Sequence, residues 1–256
     1  MAIDFLILVG LVTGAGAFMG SMLGLGGGFL IVPLLTILLG LPIKEAVALS
    51  LLSILANSLS ASVVYVNRDV VDFRLGLILE TSTMLGAIAG ANINLMIEES
   101  VISTIFGFVL IYVSYRMFKG ASLEGVSGKK IGNKQLGIGV FGAFFAGILS
   151  GLLGIGGGIL KMPILVLLLS VPTRIAIGTS MFMISLTSAA STYVYFSSNM
   201  INFLYGGAAV IGAFSGAQIG SRVSLRVNVT TLRKLFGFIL IVFSVLMILK
   251  GFGVIT

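Results

Sequence analysis

Two glycine-rich runs offer the first chemistry in this sequence. Gly24-Leu-Gly-Gly-Gly28 and Gly154-Ile-Gly-Gly-Gly158 each interrupt an apolar stretch, with Pro33 or Pro163 a few residues on. Glycine allows positive φ and close backbone approach, and successive exposed N–H groups form concavities that bind anions. A helix starting near Phe29 or Ile159 would add the positive end of its dipole. Gly26, Gly27, Gly28, Gly156, Gly157 and Gly158 are therefore candidate anion ligands. The competing reading is tight packing through small residues, and it suits Gly86-x-x-x-Gly90 and Gly216-x-x-x-Gly220 better.

Three polar side chains stand out against the apolar background. Lys161 lies in Gly-Ile-Leu-Lys-Met-Pro, three places after Gly158. A cation at the hydrocarbon centre costs roughly 2.5–3.5 kcal/mol, so Lys161 either faces a cavity or counter-charge, where it suits an anion, or snorkels to the interface. Glu80, in Leu-Ile-Leu-Glu-Thr-Ser-Thr-Met, is the acid set deepest in an apolar segment. It could couple protons, pair with Lys161, or sit near the interface. Asn57 has Ser53, Ser58, Ser60 and Ser62 around it, and the matching segment offers Ser185, Thr187, Ser188, Ser191 and Thr192. Such groups line a hydrophilic path or bond between helices at ~0.6 kcal/mol each.

Composition narrows what these residues can do. The 256-residue chain is 58% hydrophobic and 9% charged, against about 25% charged in soluble domains, and its mean hydropathy is +1.21. Runs of roughly 18 or more apolar residues read as membrane spans. With no Cys and no His, thiol and imidazole catalysis and the commonest zinc ligands are excluded, and no cofactor or metal is implied. The net charge of +7 fits loops facing anionic lipid better than it fits nucleic acid. Met1–Phe5 carries Asp4 and no Lys or Arg, so the first apolar stretch is expected to be a retained helix and not a signal peptide.

The elements that position these residues come in two copies. At an offset of 130 residues the glycine runs superpose, and Pro33, Pro42, Lys44, Ser50, Tyr65 and Gly76 meet Pro163, Pro172, Arg174, Ser180, Tyr195 and Gly206. Phe106-Gly-Phe108 meets Phe236-Gly-Phe238 without a gap. We expect a first membrane repeat over 1–119, a polar linker over 120–135 and a second repeat over 136–256. Each holds about five helical segments. The second of each, Phe29–Leu39 or Ile159–Ser170, spans only ~18 Å and reads as a broken or re-entrant half-helix.

Charge asymmetry predicts that the copies are inverted. All eight acids lie at or before Glu124, and ten of the fifteen basic residues lie after it. Equivalent loops of inverted copies face opposite sides and diverge in this way. Placing the linker in the cytoplasm gathers there Arg68, Arg74, Arg116, Lys119, Lys129, Lys130, Lys134, Arg174, Arg222, Arg226, Arg233 and Lys234. Lys44 and Lys250 are left outside with both termini. The expectation is an all-α, multi-pass cell-membrane protein of two inverted repeats, carrying a small anion between its glycine breaks by alternating access. Its partners would be that anion, membrane lipid and a coupling proton or sodium ion. An anion channel is the main alternative. A membrane-embedded enzyme is disfavoured because no nucleophile–base constellation is evident.

The paired glycine runs with their trailing prolines, the Ala46–Ser50 and Ala176–Ser180 regions and the glycine-rich fourth helices resemble the sulfite exporter TauE/SafE family over nearly the whole chain. The resemblance implies a secondary transporter for small sulfur-containing anions such as sulfite, thiosulfate, sulfonates or sulfoacetate. A cysteine-based thiosulfate mechanism is impossible here, which leaves direct binding and release of the anion.

Overall fold

The computed structural model describes residues 2–118, 132–224 and 229–255. The expected linker therefore lies outside the described residues as far as residue 131, together with Lys119, Lys129, Lys130 and Arg226; the side chains of Arg233 and Lys234 lie outside them as well. Among the described residues, ten α-helices follow in order: α1 (Ala2–Leu23), α2 (Gly28–Pro33), α3 (Ile43–Val66), α4 (Phe73–Met96), α5 (Glu99–Phe118), α6 (Asn133–Leu153), α7 (Gly158–Pro163), α8 (Thr173–Ser197), α9 (Phe203–Ser224) and α10 (Val229–Gly251). Among the described residues, seven are long and apolar enough to cross a membrane.

The short helices α2 and α7 are the expected half-helices. Each ends on a proline and passes into a wider π-helical turn, Leu34–Leu38 or Ile164–Leu168. Proline has no N–H to give the ladder and crowds the carbonyl four residues back, so the backbone widens there. Neither piece can span a bilayer alone.

The contacts fix the direction of each helix. α1 runs parallel to α9, with Gly14 against Gly212 and Gly220 against Phe18. Likewise α4 runs parallel to α6, with Gly86 against Phe144 and Gly90 against Ile148. The counterpart helices α5 and α10 pair antiparallel: Ser114 donates to the Gly237 carbonyl at 2.6 Å, and Gly251 abuts Thr104. A repeat that meets its own copy antiparallel must be inverted relative to it, so the expected inversion is present in the fold.

The ends of the bundle follow. Phe5 stacks on Tyr205 at the start of α9 (5.1 Å), and Pro42, Lys44, Glu45, Glu99 and Asn199–Asn202 line one groove of about 400 Å³. The start of α1, the start of α3 and the end of α10 therefore share one end, here termed the terminal end. At the opposite, connector end, the Asp72 backbone N–H donates to Thr179 Oγ1 at 2.8 Å, and the Asp72 side chain caps α4 by accepting from the Leu75 N–H at 2.9 Å. In each repeat the first helix and its half-helix enter and leave by one end, and three crossings follow.

Small residues close these interfaces. A Cβ on Gly86, Gly90, Gly216 or Gly220 would fall onto a backbone carbonyl of the facing helix, from Phe144, Ile148, Gly14 or Phe18 respectively. The packing reading of those two glycine pairs therefore holds. Among the described residues, Arg68, Arg74, Arg116, Lys134, Arg174 and Arg222 fall at the connector end, and Lys44 and Lys250 at the terminal end.

Candidate functional site

The two glycine breaks meet inside the bundle. Gly24, Gly26 and Gly27 have φ of +68°, +86° and +89°, and Gly154, Gly156 and Gly157 have +70°, +74° and +72°. L-residues avoid this left-handed region, so glycine is required for the chain to turn there. Gly28 and Gly158 have a different reason to be glycine. A Cβ on Gly28 would meet the Gly154 carbonyl, and one on Gly158 would lie 2.6 Å from Leu25 Cα. Each triplet thus makes the turn with its first two residues and admits the opposite break with its third.

Reciprocal hydrogen bonds lock the crossing. Ser50 Oγ on α3 donates to the Gly154 carbonyl at 2.7 Å, and its counterpart Ser180 on α8 donates to the Gly24 carbonyl at 2.9 Å. Tyr65 donates to the Ser21 carbonyl at 2.9 Å, and its counterpart Tyr195 to the Gly151 carbonyl at 2.8 Å. Each serine thus clasps the other repeat's break, and each tyrosine ties down the end of its own repeat's first helix. Ile54 and Ile184 fill the space beside Gly26 and Gly156.

Asn57 is fully buried and reaches the first break, where its Nδ2 donates to the Gly26 carbonyl at 2.8 Å. Its Oδ1 is buried without a protein partner. Lys161 reaches the second break. Helical side chains lean toward the helix N-terminus, and Lys161 runs back so that its Cε lies 3.4 Å from where a Cβ on Gly157 would stand. Its Nζ donates to Glu80 Oε2 at 3.0 Å and also to Thr187 Oγ1, while Thr187 donates to Glu80 Oε1. Lys161 and Glu80 are each 1% exposed. Of the readings open for Lys161, the counter-charge holds and snorkelling does not. Of those for Glu80, pairing with Lys161 holds and an interfacial position does not.

The fold thus brings all the candidate residues into two adjoining seats that differ in charge. In the second, α4, α7 and α8 contribute Glu80, Lys161 and Thr187. At the matching positions of the first stand Val210, Ile31 and Asn57. Two residues escaped the sequence reading as site residues. Thr187 was one hydroxyl among several on its helix, although its register with Asn57 marks it out. Ser150 carried no signal, yet it is fully buried, its Oγ has no protein partner, and its Cβ lies 3.4 Å from the Cβ position of Gly157.

This architecture defines a class: multi-pass, all-α membrane proteins with inverted repeats and broken helices at the repeat interface. The chain belongs to the sulfite exporter TauE/SafE family, whose sequence model matches residues 6–247, and is a membrane transporter. It is 30% identical to the Bacillus subtilis protein named "Probable membrane transporter protein YunE", over 98% of this chain and 99% of that one. A Methanocaldococcus jannaschii protein, also named a probable membrane transporter protein, is 26% identical over 97% of this chain and 96% of its own length. An Arabidopsis thaliana protein named "Sulfite exporter TauE/SafE family protein 5" is 28% identical over 43% of this chain and 25% of its own. No solved structure matches the chain.

Proposed function

We propose that the protein is a secondary transporter of small sulfur-containing anions, such as sulfite, a sulfonate, sulfoacetate or thiosulfate. The two repeats would hold the anion between their glycine breaks and rock around it. The observation that carries this reading is the meeting of two broken helices from inverted repeats, with buried polar atoms (Asn57 Oδ1 and Ser150 Oγ) left without protein partners beside them. Gly26–Gly28, Gly156–Gly158, Asn57 and Lys161 form the substrate seat. The sulfur character of the substrate rests on the family name.

Counterflow in proteoliposomes tests the carrier reading. Unlabelled sulfite or sulfonate inside should accelerate entry of the labelled anion, with saturation. Flux that neither saturates nor responds to the opposite side would establish a channel instead.

The basic connector end would face the cytoplasm, and both termini the outside. With no native cysteine, single-cysteine labelling reads this directly. A membrane-impermeant maleimide on intact cells should label Asn202→Cys and should reach Asn67→Cys only after permeabilisation. The reverse pattern would invert the assignment.

A further inference from the structure

Lys161 already has a full counter-charge. An anion arriving at its ammonium would share one cation with the Glu80 carboxylate inside a water-poor seat. Like charges brought that close in a low dielectric are strongly disfavoured. Resting on the anion-carrier reading above, we propose that the anion and the Glu80 carboxylate exchange places on Lys161, and that Glu80 carries a proton while the anion is bound. The coupling ion is then a proton, and its carrier is Glu80.

A proton entering with the anion lands on a Glu80 carboxylate oxygen, which becomes a neutral acid. Lys161 keeps its positive charge and binds the anion, with Thr187 as hydroxyl partner to either occupant. When the anion leaves on the other side the proton leaves too, and the carboxylate returns to Lys161 and Thr187. One monovalent anion and one proton move together, with no net charge.

The surroundings restrict the exchange to these groups. On the elements packed around Glu80, Arg74, Lys134 and Arg174 stand in the first turns of α4, α6 and α8, and Asp72 caps α4. Tyr193 is exposed, and Tyr195 donates to the Gly151 carbonyl. Among the described residues Lys161 is the one charged group that meets Glu80. The pair is closely packed at Gly157, where the Ala146 carbonyl oxygen, Lys161 Cε and Ser150 Cβ stand 3.3, 3.4 and 3.4 Å from the Cβ position, so an arriving anion takes the place that the Glu80 carboxylate leaves. Ser150 Oγ there is buried and unpartnered. The other seat, with Ile31 and Val210 in place of the ion pair, cannot do this, so one exchange occurs per cycle.

The test uses the full chain in proteoliposomes, with sulfite and methanesulfonate as probes and the membrane potential clamped at zero. Methanesulfonate keeps one charge throughout the working pH range, so its own titration cannot imitate coupling. Wild-type protein should accumulate it when the outside is acidic, approaching about tenfold per unit of pH difference for one proton per anion, and a trapped pH dye should report acid entering with it. Glu80→Gln should abolish that accumulation and make counterflow independent of pH, and Glu80→Asp should restore the pH dependence in part. Wild-type counterflow without proton movement would overturn the proposal while leaving the carrier reading intact. So would accumulation driven by sodium, or Glu80→Gln still driven by the pH gradient. Absence of counterflow with both probes would overturn both. The wild-type dye measurement decides the matter even if Glu80→Gln fails to fold.

Discussion

Lys161→Met is expected to destabilise the protein as well as silence it. The substitution leaves the Glu80 carboxylate 1% exposed with its cation gone, and breaking a buried pair by removing one partner typically costs ~3–5 kcal/mol. Thermal unfolding in detergent should show a clear drop for Lys161→Met. The double substitution Lys161→Ile with Glu80→Val installs the residues found at the matching positions of the opposite repeat, Ile31 and Val210. Replacing a buried ion pair by apolar groups of similar size is often neutral or stabilising, so the double variant should recover the stability and still not transport. A double variant as unstable as the single one would show that the pair is needed for folding itself.

The second large effect is expected at Gly28. Its Cβ position falls on the Gly154 carbonyl and lies 2.7 Å from Ile54 Cδ1 and 2.8 Å from Ile155 Cα. Two of these obstacles are backbone of the opposite break and cannot turn aside as a side-chain end can. Overpacking a close-fitted core costs ~1–3 kcal/mol, and here the displaced element is the opposite glycine break, part of the proposed substrate seat. Gly28→Ala should abolish uptake in proteoliposomes and lower the unfolding temperature. Gly40→Ala is the control: Gly40 also has positive φ (+67°), but nothing lies within 4 Å of its Cβ position. That variant bears the left-handed cost of ~1–2 kcal/mol alone and should still transport. Equal loss of uptake in the two would remove the close approach of the breaks as the cause.

Much of this architecture was legible in the sequence because it repeats. The shared register of Gly24–Gly28 with Gly154–Gly158 marked the breaks, and the short pieces after them were too short to cross a bilayer. Their meeting was less legible. That Gly28 is glycine because of the Gly154 carbonyl is a fact about residues 126 positions apart, and no local spacing encodes it. Lys161 and Glu80 were visible singly, as charges in apolar company, and their pairing stood among the open options. Thr187 and Ser150 were hidden because hydroxyls are common in membrane helices and bond readily to their own backbone, so residue type carries little signal. Only the matching of Thr187 to Asn57 across the repeat distinguishes it.

The unequal seats also bear on why the halves are joined. Two identical half-length chains, inserted in opposite orientations, could build the same crossed breaks and the same serine clasps. Such a homodimer would place any residue in both seats at once: a lysine–glutamate pair twice or not at all. Covalent fusion lifts that constraint. The first copy can keep isoleucine and acquire glutamate while the second acquires lysine and keeps valine, so a scaffold with twofold symmetry comes to hold a single buried ion pair.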